Sequence, residues 1–359
     1  MRPIRPSFSP SRSRGLVPEM QDVSKSPATM AKIAIDEARV LVERVMEATG
    51  YGAPEAAAIA DHLLDCELRG VAMGGLSRAI SVADHFAQHR GRIDTLRIQR
   101  ETPFSAALEG GNRVGYLLGA KATEIAIEKA RASGIGMVTG HCAIFSGMLS
   151  YYVERITAAG FVAVATSSVG PMVAPEGGTE ALFGTNPIAF GFPSASEPVI
   201  WDIGTSRIML AETILAARLG QALPEDVAFD KSGQPTRDPH AALAGAFRVW
   251  GGHKGSGLAL VVQLFGLMAG TPVVQETYGS IGLFLQAIDP ALFGDPEDFA
   301  TKVAEFSDLL RANRPVEGGP ALRLPFERSR QRRKEQLARG YIEVAEEVLR
   351  QLHARVDKG

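Results

Sequence analysis

GIGMVTG, residues 134–140, is the stretch on which the fold turns. Three glycines this close together invite comparison with the phosphate loop of a Rossmann domain. Such a loop needs its glycines after a strand and at the head of a helix, where helix N–H groups face a pyrophosphate. Here the glycines precede and interrupt a short apolar run, so residues 135–140 read as the strand itself. A Rossmann site is therefore not expected.

Outward from that strand, FVAVATSS (161–168), PIAFGFP (187–193), VIWDI (199–203) and GLFLQAI (282–288) are further apolar runs bounded by Gly, Ser or Pro. All read as strands, with a helix between the first two strands of the series. Helical periodicity governs the flanks. Residues 31–49 place Ile33, Ala34, Ala38, Leu41, Val42, Val45 and Met46 on one face, and Gly50 stops the helix. Pro54 opens a second helix reaching Gly70; a third spans 76–89 and a fourth 116–132. Residues 206–220 return to helical period. SGLALVVQLFGLMAG (256–270) is apolar nearly all round, which predicts burial in a domain core. Two amphipathic helices, 295–313 and 331–355, close the chain. The fold class expected is a mixed α/β protein of α+β character, with a largely antiparallel sheet and a helical N- and C-terminal part.

A chain of 359 residues, 45% hydrophobic, is long enough for roughly two cores. A formal charge of −2 lacks the basic excess of a nucleic-acid binder. No segment reaches the ~18 apolar residues of a membrane helix. Two cysteines, Cys66 and Cys142, make no disulfide framework, so a reducing cytoplasm is the default compartment. Residues 1–30 are rich in Arg, Ser and Pro, without apolar period, and read as a disordered extension or a misassigned start, with Met20 and Met30 as alternative first residues. The domain division expected is 31–120 plus 310–355 for a helical, substrate-binding part, and 121–309 for a cofactor-binding part.

Several motifs have bland readings. GGHKGSG (251–257) has the wrong spacing for a nucleoside-triphosphatase loop. A Gly-rich turn carrying Lys254 into a helix N-terminus can nevertheless hold an anion, and anion site and plain turn both stay open. The seven histidines show no zinc-ligand spacing, so no metal is expected. No GxSxG elbow supports hydrolase chemistry. The basic run Arg328, Arg330, Arg332, Arg333, Lys334 is either a solvated face or a contact for a nucleotide phosphate.

The blocks APEGGTEALFGTNPIAFGFP (174–193), VIWDIGTSRI (199–208), AFDKSGQPTRDPHAALAGAF (228–247) and WGGHKGSGLAL (250–260), in this order and spacing, resemble the malate/L-lactate dehydrogenase family. That family includes sulfolactate, ureidoglycolate and diketogulonate oxidoreductases and Δ1-piperideine-2-carboxylate reductases. The resemblance covers about residues 31–345. It implies a non-Rossmann nicotinamide-binding fold, NADPH or NADH as cofactor, a small carboxylic acid as substrate, and a homodimer with active sites near the subunit interface. The family's Ser-His-Gly-x-x-Arg motif falls on Met73-Gly74-Gly75-Leu76-Ser77-Arg78, which makes Arg78 the substrate-carboxylate candidate. Thr185 matches a substrate-contacting threonine. Cofactor contacts carry over to Phe145, Ser146, Gly147 and Met148, to Asp202, Ile203 and Gly204, to His253 and Lys254, and to the stretch from Arg323 to Arg328. Glu212 falls on an acidic or polar position that supports the family's proton relay.

Two departures bear on chemistry. The Ser-His pair that the family uses to deliver a proton is Met73-Gly74, and the histidine of its Asn-His-Phe-Gly turn is Phe145. A positioned general acid is worth about 10²–10⁴-fold in ketone reduction. Three readings follow: a reductase of 2-oxo acids with the acid relocated to His141, Lys254 or Glu212; a cyclic imine reductase, whose substrate arrives already protonated; or an inactive nucleotide-binding homologue.

Overall fold

Gly340, at φ 75°, decides how the chain ends. In the computed structural model, which describes residues 29–89, 93–218, 220–273 and 280–356, the segment expected as one helix over 331–355 is broken there. In chain order the elements are β1 (Met30–Ala34), α1 (Ile35–Thr49), α2 (Ala53–Leu68), a 3-10 turn (Ala72–Gly74), α3 (Leu76–His89), β2 (Arg97–Glu101), β3 (Ser105–Val114) and α4 (Gly115–Ser133). Next come β4 (Ile135–Ile144), α5 (Ser150–Ala158), β5 (Val162–Ser168), β6 (Val173–Ala174), β7 (Ile188–Phe192), β8 (Val199–Ile203) and α6 (Leu210–Arg218). The chain continues through β9 (Ala228–Phe229), α7 (Pro239–Ala244), β10 (Ala246–Arg248), α8 (His253–Met268), β11 (Gly282–Ile288), α9 (Pro296–Ala312), α10 (Glu327–Arg339), β12 (Tyr341–Ala345) and α11 (Glu346–Val356). The extension expected over 1–30 lies almost wholly outside the described residues.

The first five residues of the expected helix over 31–49 are instead mostly strand. β1 pairs antiparallel with β12, Met30 opposite Ala345 and Ala34 opposite Tyr341. A local helical period lost to a ladder partner some 300 residues away, a contact no local window can contain. β2 and β3 were also not legible. β2 is exposed at every position, so it carries no apolar alternation.

The main sheet has seven strands in the order β2-β3-β4-β11-β5-β7-β8. Only β3 and β4 run parallel; every other neighbour pair is antiparallel. This matches the mixed, largely antiparallel sheet expected. α4 lies directly on β4 because Gly136 has no side chain: a Cβ there would strike the Ala126 carbonyl. Glycines of the 134–140 run thus serve helix–strand packing.

Three apolar clusters hold the molecule. One is built by α1, α2 and α3, with Val114, Tyr116, Ile342, Val344 and Leu352. A second lies between the main sheet, α4 and α5. The third fills the space between α6, α7, α8 and the small sheet β6-β10-β9. The burial predicted for residues 256–270 is only half met. α8 packs on β5 and β11 with one side, while Leu260, Val261, Leu264 and Met268 are 45–59% exposed on the other. Among the described residues no second layer covers that face.

Candidate active site

The three glycine-bounded turns of the resemblance meet. The Thr185 carbonyl accepts two hydrogen bonds from Thr205, from its backbone N–H at 2.9 Å and its hydroxyl at 3.0 Å. The Trp250 N–H donates in turn to the Thr205 carbonyl at 2.7 Å. Residues 184–186, 202–205 and 250–253 therefore form one surface, with β7 and β8 as its base. Asn186 locks it onto α8: fully buried, it donates through Nδ2 to the Ala259 carbonyl at 2.9 Å and to Gln263 Oε1 at 3.0 Å. Its own Oδ1 is buried without a partner among the described residues, a cost a native structure seldom leaves unmet. Asn186 and Thr205 both sit in the quoted blocks, yet neither was singled out, because their work is done by backbone turns that sequence does not display.

A second surface adjoins the first through Asp202. Its carboxylate accepts the N–H of Ser150, the first residue of α5, at 2.8 Å. Withdrawal from water pushes the Asp202 carboxyl up, against the pull of that hydrogen bond. The preceding turn, Phe145 to Met148, is held from both sides. Tyr152 donates its hydroxyl to the Ser146 carbonyl at 2.8 Å, and the Met148 N–H donates to His62 Nε2 at 3.1 Å. Gly147, at φ 74°, has no room for a Cβ against His62. His62 itself stacks on Tyr116 at 4.3 Å. Burial drives its pKa down to about 3, so the ring is neutral. It accepts a backbone hydrogen bond and has no proton to spare for chemistry. The sequence offered no signal for His62 beyond its place on an apolar helix.

Arg78 comes to the same place from α3. Its guanidinium lies over the Phe145 ring, 4.9 Å from the centroid. Among the described residues no carboxylate pairs with it. Half-buried, stacked and unpaired, it has fork donors to offer an incoming anion. Beside it, position 74 is not filled by a replacement acid. A Cβ at Gly74 would meet Cys66 Sγ at 3.5 Å and Val71 Cγ1 at 3.6 Å, ordinary contacts.

Other expected residues lie differently. His141 sits 3.2 Å from Gln99 Oε1 and 3.0 Å from Cys142 Sγ, with its ring against Gly270. Glu212 is exposed and accepts the Met209 N–H at 3.0 Å, capping its own helix. His253 and Lys254 are exposed in the first turn of α8, beyond Gly251 and Gly252, both at positive φ. Arg323 is exposed. Arg328 lines an open cleft of about 440 Å³ between α10, β12 and Glu67. Within the basic run, Arg333 pairs with Asp65 at 2.6 Å and Lys334 with Glu197 at 2.6 Å. No group of His, Cys, Asp and Glu among the described residues could hold a metal ion. No described helix is long and apolar enough to cross a membrane.

This arrangement has relatives. Residues 33–353 match the malate/L-lactate dehydrogenase family model. An L-sulfolactate dehydrogenase of Methanothermobacter thermautotrophicus is 32% identical over 79% of this chain and 86% of its own. A Δ1-pyrroline-2-carboxylate reductase of Burkholderia ambifaria is 32% identical over 86% of this chain and 93% of its own. Among solved structures, sulfolactate dehydrogenase from Methanocaldococcus jannaschii superimposes with a TM-score of 0.81 at 29% identity, covering 91% of this chain and 97% of that one. The chain belongs to the malate/L-lactate dehydrogenase family of oxidoreductases.

Proposed function

We propose that this chain is an NADPH- or NADH-dependent oxidoreductase of a small carboxylic acid bearing an oxo, hydroxy or imino group at C2. The observation that carries this reading is an unpaired arginine, Arg78, stacked on Phe145 in the turn ahead of α5, the helix whose first N–H is held by Asp202. A bidentate guanidinium on Phe145 is suited to a substrate carboxylate, and Thr185 is assigned to the substrate with it. The cofactor is assigned to the 145–148 turn, to Asp202–Gly204 and to the head of α8. Its fit there rests on two features: the orphaned Asn186 Oδ1 beside Thr185, and an exposed 16-residue helix start with Lys254 in its first turn, which suits a phosphate. When bound, the reduced nicotinamide supplies a hydride. A largely antiparallel sheet, and glycines at 134–140 spent on packing, support a site of non-Rossmann type. Residues 31–120 with 310–355 are assigned to the substrate side and 121–309 to the cofactor side. The unpaired Cys66 and Cys142 accord with a cytoplasmic setting.

Within this reading, one observation favours a cyclic imine over a ketone. Neither position 74 nor position 145 holds a histidine, His62 is neutral and engaged, His141 is turned to Gln99, and Glu212 caps its own helix. A protonated cyclic imine needs no proton from the protein: hydride addition at C2 leaves a neutral amine, with the carboxylate still on Arg78.

Titration with NADPH and NADH by fluorescence, followed by assay on pyruvate, oxaloacetate, Δ1-pyrroline-2-carboxylate and Δ1-piperideine-2-carboxylate, tests both levels. Tight dinucleotide binding and turnover of the imines above the 2-oxo acids are expected. Indifference to both dinucleotides would end the oxidoreductase reading. Brisk ketone turnover lost in His141→Ala would restore the relocated acid, and binding without any turnover would leave an inactive homologue.

The homodimer is proposed on the uncovered face of α8. Four large apolar side chains on one helix face, each about half exposed, form the kind of surface that a second copy covers.

A further inference from the structure

We infer that Glu67 of α2 is a positioning residue for Arg78, fixing the start of the helix that carries it. The inference rests on the reading of Arg78 as the carboxylate-binding residue. α3 begins at Leu76, two positions before Arg78. A helix start leaves N–H groups without intrahelical partners, and a side-chain oxygen placed there pins the first turn. Glu67 supplies that oxygen from outside the helix: its Oε2 accepts the Leu76 N–H at 2.9 Å. The Glu67 residue is only 7% exposed, so this carboxylate is not a passing surface contact.

Two neighbours show that the fit is built. Gly75 precedes Leu76, and a Cβ on it would overlap Glu67 Oε2, so the glycine is what admits the carboxylate. Arg332 of α10 faces Glu67 and favours its charged form, and its guanidinium lies against Gly70. Asp65, two residues earlier, is tied to α10 through Arg333, which braces the segment of α2 that bears Glu67. Burial raises the Glu67 carboxyl to about 7, a penalty that a purely decorative acid would not keep. The chain 66–76 thus makes a closed loop, with Glu67 at one end gripping Leu76 at the other. Arg78 projects from the first turn beyond the grip, with Phe145 beneath it.

The test compares Glu67→Ala, Glu67→Gln and Gly75→Ala with Arg78→Ala. Loss of a buried cap of this kind corresponds to about tenfold or more in binding. Glu67→Ala and Gly75→Ala are expected to raise KM for Δ1-piperideine-2-carboxylate at least tenfold, with kcat and the NADPH Kd within about twofold of the parent. Glu67→Gln, which keeps the acceptor oxygen, should restore most of the loss. Hydrogen exchange of the Leu76 amide, measured without substrate, should quicken at least tenfold in Glu67→Ala and stay near parental in Glu67→Gln. Glu67→Asp, which withdraws the oxygen by one methylene, serves in the same assays if the alanine variant does not fold. An unchanged Leu76 exchange rate, or KM and NADPH Kd rising together, overturns the inference. If Arg78→Ala leaves KM untouched while Leu76 exchange responds to Glu67, the carboxylate role of Arg78 fails and the grip on α3 stands without it.

Discussion

The Arg78 guanidinium lies 4.9 Å from the centroid of the Phe145 ring, which joins the helix behind the Met73-Gly74 slot to the turn ahead of α5. A stacked cation of this kind is worth ~0.5–2 kcal/mol. Phe145→Ala should therefore raise KM for the acid substrate by about three- to thirtyfold while leaving Tm within a few degrees. Steady-state kinetics with saturating NADPH measures it. An unaltered KM would mean the ring does not orient Arg78.

The room at position 74 makes a gain-of-function test feasible. A Cβ there meets Cys66 and Val71 only at van der Waals distance. Met73→Ser with Gly74→His installs the family's pair, and ketone reduction should rise by about 10²-fold or more if general acid catalysis is what the chain lacks. The kcat on oxaloacetate or pyruvate relative to that on the imine is the readout. A ratio that does not move would show that the missing proton donor is not the limitation.

His62 gives stability a pH dependence of known sign. Its folded pKa is about 3, against 6.5 for a free histidine. Between those values the unfolded chain takes up a proton that the folded chain refuses, so stability falls as pH drops below about 6.5. His62→Gln can still accept from the Met148 N–H but cannot titrate. Its Tm should decline less than the parent's between pH 7 and pH 5. Parallel declines would place the acid sensitivity elsewhere.

The bare face of α8 predicts association. Leu264, 53% exposed, lies at its middle. Leu264→Glu should convert a dimer to a monomer in sedimentation velocity at micromolar concentration, with little loss of secondary structure by circular dichroism. A parent chain that sediments as a monomer would remove the dimer from the proposal.

Legibility followed the range of the interaction. The strands at 162–168, 188–192 and 199–203 and the helices at 53–68, 115–133 and 296–312 stood out because their apolar residues recur at local spacings. β1 and β12 did not, since each makes sense only beside the other. β2 escaped for want of any buried side. Arg78, Thr185 and Asp202 entered the proposed site through motif resemblance. Glu67, His62, Ser150 and Thr205 did not, because they act on backbone N–H and carbonyl groups whose positions exist only after folding. His141 faces Gln99 and Cys142, partners that only the folded sheet brings to it.

The pairing of residues 30–34 with 341–345 sets an order of events during synthesis. The strand at 30–34 meets its ladder partner among the described residues only after some 300 further residues have been made. Non-local closures of this span are slow to form. The opening segment must wait with Ile33, buried in the finished protein, still open to water. Cells making this protein therefore hold an unfinished edge until residues 341–345 have emerged, the stage at which chaperones and chain concentration have most to decide.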